Sequence, residues 1–166
     1  IGEVLALTWS DIDLEGGTVT VNKTLIGDIG KVGTPKSPSA YRTISIDKKT
    51  VLMLRLYKNR QAQYFKEIGF TSQVVFATGR TEYGFRHNAQ KRLNRHLQGA
   101  GLARFTFHAF RHTHASLLLN AGIGYKELQH RLGHSKISMT LDTYSHLSKD
   151  KEKEAVTFYE KALNSL

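Results

Sequence analysis

The run His108-Ala109-Phe110-Arg111-His112-Thr113-His114, followed by Leu132-Gly133-His134 and then Tyr144, gathers side chains suited to phosphate chemistry. The Arg guanidinium offers a planar fork that fits phosphate oxygens, and His exchanges a proton near neutral pH. Tyr is a weak nucleophile until something activates it or its target. With an ordinary phenol pKa of about 10, few molecules are ionised at pH 7, so Tyr144 needs a base or a strongly polarised electrophile. His108 and Arg111, three residues apart, share one face of a helix and can converge on one group. No acidic residue lies between Glu82 and Glu127, so neither has a carboxylate partner near in sequence. Gly133 reads as a helix end that presents His134 to solvent. The polar surroundings of Tyr144, Thr143 and Ser145-His146, predict partial exposure of the phenol. Lys36 stands in Pro35-Lys36-Ser37-Pro38, where two prolines restrict a connection between strands. Its ammonium is placed to hand a proton to a leaving alkoxide. Together these groups describe attack on a phosphodiester by Tyr144, with the product held on the enzyme.

Charge points to the same substrate class. The net charge is +10, and seven of the basic residues (Arg86, Lys91, Arg92, Arg95, Arg104, Arg111 and Lys126) lie in the stretch without acids. The remaining 17 basic residues are nearly balanced by 14 acidic ones, so the excess is concentrated. A concentrated basic block marks a surface for a polyanion. An anionic membrane would account for the charge alone, but the phosphate-chemistry residues inside the block favour nucleic acid. Arg42, Arg86, Lys91 and Arg95 are the candidates for DNA-backbone contacts, and such binding weakens steeply with salt. No run of about 18 apolar residues spans a membrane, and no signal peptide is seen. The chain has no Cys, which excludes disulfides and thiolate metal sites and fits a reducing cytoplasm.

The elements that must position these residues are mostly helical. At 166 residues the chain is expected to be one domain. Ile1 to Leu7 has helical spacing and starts without a cap, as a helix entered midway. Ser10 to Asp13 breaks it, Glu15-Gly16-Gly17 turns, and Thr18 to Val21 alternates as a strand. Further strands are expected near 30–34 and 42–46, giving a three-stranded antiparallel sheet. Asp47 caps a long helix that runs to about Glu67 and stops at Gly69, with Val51, Leu54, Leu56, Tyr57 and Tyr64 as its apolar positions. Val74 to Phe76 is a brief apolar run. Helices follow over about 85–97, 108–120, 125–132 and 137–146, the third-last region taking Phe110, Leu117 and Leu118 as its buried side. Lys149 to Leu163 reads as an amphipathic tail helix within 149–166. The fold class is mainly α (α+β), a helical domain with one small antiparallel sheet.

Over nearly its whole length, Ile1 to about His146, the chain resembles the catalytic domain of the tyrosine recombinases, the phage integrases. His108 and Arg111 match the family's His-x-x-Arg box, His134 its Leu-Gly-His, and Tyr144 the nucleophile about ten residues later. Lys36 falls where the family keeps its hairpin Lys. Ile1-Gly2-Glu3-Val4-Leu5-Ala6-Leu7 resembles the segment that directly follows the family's first catalytic Arg. Several motifs in the right order carry more weight than any one alone. The resemblance implies site-specific recombination of a mobile element by way of a 3′-phosphotyrosyl link. Arg111 and His134 would bind the non-bridging oxygens, His108 would assist proton transfer at the nucleophile, and Lys36 would protonate the leaving 5′-oxygen. It implies double-stranded attachment-site DNA as partner, a monomer in isolation and a homotetramer on paired DNA, with no cofactor and no metal. It also implies a fragment of a longer integrase, impaired because the first Arg and the DNA-clamping N-terminal domain are not in the sequence.

Two other readings compete. A metal-dependent Tyr nickase would use His112 and His114 as a His-x-His pair, but residues two apart on a helix point in different directions. His108 and His112 are spaced for zinc, but Ala109 stands where the zinc-protease pattern needs Glu. The other is a non-catalytic or truncated DNA-binding module, which the basic block alone would support.

Overall fold

A computed structural model describes residues 1–27, 30–34 and 37–144. It resolves the chain into two compact units, Ile1–Ala109 and Phe110–Leu166. The expected tail helix over 149–166 lies outside the described residues. Among the described residues no helix is long and apolar enough to cross a membrane.

The first unit opens on α1 (Gly2–Ala6), whose Leu5 and Ala6 are buried with Leu25. Gly2 packs so closely that a methyl group there would meet the Arg86 guanidinium, Thr24 and the Leu25 carbonyl. A short 3₁₀ turn, Trp9–Asp11, leads into β1 (Ile12–Asp13), β2 (Thr18–Val21), β3 (Thr24–Ile26), β4 (Lys31–Gly33) and β5 (Arg42–Ser45). The three-stranded antiparallel sheet has the order β1-β2-β5, with Val19 facing Ile12 on one side and Ile44 on the other. The strand expected near 30–34 is β4, and it pairs with β3 in a separate two-stranded ladder, Leu25 opposite Val32. The third strand of the main sheet is instead β1, two residues long, too short to show alternation in sequence.

Asp47 caps α2 (Lys48–Glu67), accepting from the Lys49 and Thr50 amides at 2.9 and 3.0 Å, and Gly69 closes it in the left-handed region. Its buried side chains are Gln61 and Phe65; Leu56, Tyr57 and Tyr64, expected inside, are exposed. Gln61 earns its burial by accepting the Trp9 indole N–H and donating to the Val75 carbonyl, both at 2.8 Å. Trp9, Ile12, Val19 and Val75 form the core beneath the sheet. At its edge, Asp11 takes bonds from the Thr8 amide and hydroxyl, Asn22 and Lys23. Burial would raise the Asp11 carboxyl, but Lys23, Thr8 and Asn22 outweigh it and hold it at about 2.

The basic helix α3 (Arg86–Gly99) follows, with Leu97 its buried residue. α4 (Phe107–Asn120) then enters the second unit, which adds α5 (Tyr125–Leu132) and α6 (Ile137–Tyr144). Ala115, Leu119, Leu128, Leu132 and Tyr144 form the core of that unit. Phe110 and Leu117, expected on the buried side of α4, are 48% and 64% exposed; the inward positions are Ala115 and Leu119, four apart.

Candidate active site

Three of the residues singled out by sequence, Arg111, His134 and Tyr144, lie in the second unit, and its short helices fix each of them. α5 ends at Gly133, whose φ of 70° is the left-handed conformation that glycine adopts without penalty. The Gly133 amide bonds the His130 carbonyl at 3.0 Å, and the His134 amide bonds that of Gln129 at 3.1 Å. The Gln129 side chain then donates to the His134 carbonyl at 3.0 Å. The imidazole itself is oriented by a 2.8 Å bond between its Nδ1 and the Oγ1 of Thr140, a fully buried residue of α6.

Arg111, on α4, donates from Nη2 to the Leu132 carbonyl at 2.5 Å. That carbonyl belongs to the last residue of α5, at the negative end of the helix dipole, where a cation is favoured. The guanidinium and His134 are thereby anchored two residues apart on the same helix end.

Tyr144 closes α6 and is 3% exposed, so the partial exposure expected from its polar neighbours is corrected. Its ring is part of the apolar core, whereas its hydroxyl reaches the Nδ1 of His112 at 3.0 Å. The two rings lie 5.8 Å apart, tilted by 56°. Burial pushes the phenol above its ordinary range, with the Arg111 guanidinium pulling the other way. His112 is the residue that sequence reading missed in this role, having weighed it only as a metal ligand, paired with His114 or with His108. No sequence spacing announces a contact across 32 residues. The pair is in fact split: His114 accepts from the Nε of Arg131 at 2.9 Å, while His112 meets Tyr144.

The other candidates separate by exposure. His108 is an exposed residue in the first turn of α4, within the first unit. Lys36 lies outside the described residues. Arg42, read from sequence as a backbone contact, is instead turned to Glu3: it is 8% exposed, donates to both carboxylate oxygens of Glu3 at 2.9 and 3.1 Å, and donates to the Ala40 carbonyl at 3.0 Å. The Nη1–Nη2 edge of its guanidinium is thus occupied by a carboxylate. Arg86 is half-buried and donates to the Leu25 carbonyl at 2.5 Å, which makes it a tie within the first unit. Lys91 and Arg95 are exposed, and with Asn94, Gln98 and Arg104 they line one depression beside α3.

The profile of the phage integrase family matches residues 1–151, and the chain belongs to that family. It is 32% identical over 157 residues to the ICEBs1 integrase of Bacillus subtilis, covering 92% of this chain and 43% of that protein. It is 33% identical over 172 residues to a XerC-like tyrosine recombinase of Caldanaerobacter subterraneus, covering 93% and 44%. The chain thus spans under half the length of these relatives. Among solved structures, the Tn1549 transposon integrase in complex with transposon right-end DNA superposes with a TM-score of 0.77 at 24% identity, covering 96% of this chain and 54% of that one. XerA recombinase gives 0.68 at 21%, covering 95% and 52%. These likenesses show the fold, mostly helical with a small antiparallel sheet.

Proposed function

We propose that this member of the phage integrase family carries the strand-cleaving centre of a site-specific DNA recombinase that acts on double-stranded attachment-site DNA of a mobile element. The observation that carries the reading is the anchoring of three such groups within the second unit. The Tyr144 hydroxyl, the Arg111 guanidinium and His134 are each anchored there by a bond to α4, α5 or α6. Family membership and the DNA complex of the Tn1549 integrase support it.

In this reading the Tyr144 oxygen attacks the scissile phosphorus, forming an O–P bond as the bond to the 5′-oxygen breaks. Arg111 and His134 bind the non-bridging oxygens and stabilise the charge that builds there. The Thr140 bond engages Nδ1 of His134, so its contact with phosphate falls to Nε2. Lys36 delivers a proton to the departing 5′-oxygen, and His108 assists proton transfer at the nucleophile. The phosphodiester energy is retained in the 3′-phosphotyrosyl link, so rejoining requires neither ATP nor a metal. The exposed basic residues Lys91, Arg95 and Arg104 of the first unit hold the DNA backbone. By family resemblance the chain is a monomer in isolation and a homotetramer on paired DNA, in the cytoplasm.

Attachment-site DNA, nicked so that cleavage is irreversible, tests the reading in the presence of EDTA. The chain with Arg added before Ile1 should form a covalent adduct, more strongly than the chain without it. Tyr144→Phe should bind DNA equally and form none. Cleavage that EDTA abolishes would return the metal-dependent nickase. Salt-sensitive binding without any adduct would leave a DNA-binding module.

A further inference from the structure

The chemistry of Tyr144 leaves one proton unassigned by contact. As the O–P bond forms, the phenolic O–H must lose its hydrogen, and the atom that receives it must already lie within hydrogen-bond reach. Family resemblance gives this task to His108. In the second unit, however, the group in contact with the Tyr144 oxygen is His112, its Nδ1 at 3.0 Å. We propose that His112 is a catalytic residue of this centre, the general base that takes the Tyr144 proton during cleavage and returns it during rejoining. This inference rests on the reading of Tyr144 as the nucleophile.

Three observations carry it. First, the phenol cannot turn freely away from its partner: its ring is packed among Ala115, Leu119, Leu128 and Leu132, which fixes where the oxygen stands. Second, the two rings meet edge-on enough, 56° between planes, for the hydroxyl to approach the Nδ1 side of the imidazole. Third, His112 is exposed although Tyr144 is buried, so a proton accepted at the imidazole has a route onward to water. Burial raises the phenol above its ordinary range, so the hydroxyl enters the reaction with a proton to lose. Arg111 adjoins His112 in sequence, and its charge favours the phenolate that develops.

The step balances as follows. The neutral ring carries its proton on Nε2, and Nδ1 accepts from Tyr144. The phenolic oxygen forms its bond to phosphorus while its proton passes to Nδ1, giving an imidazolium. The bond from phosphorus to the 5′-oxygen breaks, and that oxygen is protonated from the acid side. In the reverse step the 5′-hydroxyl gives its proton back to the acid side as its oxygen attacks phosphorus, the bond from phosphorus to the Tyr144 oxygen breaks, and the His112 imidazolium returns its proton to that oxygen.

The deciding experiment measures single-turnover adduct formation on nicked attachment-site DNA, with this chain and its Arg-extended form, for His112→Asn, His112→Ala, His108→Asn and Tyr144→Phe. Asn places an amide atom near the position of Nδ1, so it keeps a hydrogen bond to Tyr144 but cannot accept a proton. His112→Asn should slow the adduct about 100-fold or more, as much as His112→Ala, with DNA affinity and thermal unfolding midpoint unchanged. The defect should persist on DNA whose 5′-bridging oxygen is replaced by sulfur, a leaving group that needs no acid. Near-normal cleavage by His112→Asn, with His112→Ala impaired, would make His112 a positioning residue and overturn the assignment. Rescue of His112→Asn by the sulfur-bridged DNA would move it to the acid side and overturn it too. An adduct surviving Tyr144→Phe, or none from the unaltered chain in either form, would overturn the recombinase reading and this inference together. A normal adduct lost in Tyr144→Phe but untouched in both His112 variants would overturn only the inference.

Discussion

Gln129 holds His134 from both sides: its carbonyl accepts the His134 amide at 3.1 Å, and its side-chain amide donates to the His134 carbonyl at 3.0 Å. One residue of α5 thus sets the backbone of the second residue beyond the helix, and Thr140 then sets the ring.

Gln129→Ala should therefore act on catalysis through geometry. Removing the side-chain bond should cost about 1 kcal/mol of stability. Loosening the imidazole should slow adduct formation about tenfold, because small misplacements of a charge-stabilising group are costly. Single-turnover cleavage beside DNA-binding titrations checks this; a loss of affinity with unchanged cleavage would contradict it.

Basic residues should separate into two classes on DNA. Lys91→Ala and Arg95→Ala, both on exposed positions of α3, should each reduce the slope of log affinity against log salt by about 0.9. Arg42→Ala should leave that slope unchanged and instead lower stability by about 2 kcal/mol, because Glu3 loses its partner. Salt titrations and denaturant unfolding of the three variants decide the matter, and a reduced slope in Arg42→Ala would refute the assignment.

Stability of the second unit should fall in mild acid. Burial first, then the Arg131 guanidinium, hold His114 below the ordinary imidazole range, as its neutral ring accepts the Arg131 N–H at 2.9 Å. A group whose pKa is depressed by folding contributes fully above the unfolded value of about 6.5, and the contribution fades as pH drops below it. The unfolding midpoint should decline from about pH 6.5 downward in the unaltered chain. His114→Gln, whose carbonyl can accept the same bond without titrating, should flatten that decline. Identical pH profiles for the two proteins would contradict the coupling.

Much of this arrangement is legible in sequence where local chemistry decides. Asp47 and Gly69 bracket α2, and Gly133 announces the end of α5, because capping and left-handed turns depend on residues within a few positions. The strand β1 is not legible: two residues cannot display a period of two. Phe110 and Leu117 mislead because hydrophobicity alone does not say which stripe of α4 turns inward. Arg42 and His112 escape for a shared reason. Their partners, Glu3 and Tyr144, stand 39 and 32 residues away, and only the folded chain brings them within bonding distance.

In the proposed reaction Tyr144 forms the covalent bond to DNA. The most direct measurement is to digest the trapped adduct from nicked attachment-site DNA, made in EDTA, and locate the nucleotide-bearing residue by tandem mass spectrometry. A single modified peptide is expected, with a 3′-phosphate ester on Tyr144. Modification of any other residue, or a 5′-phosphate link, would contradict it.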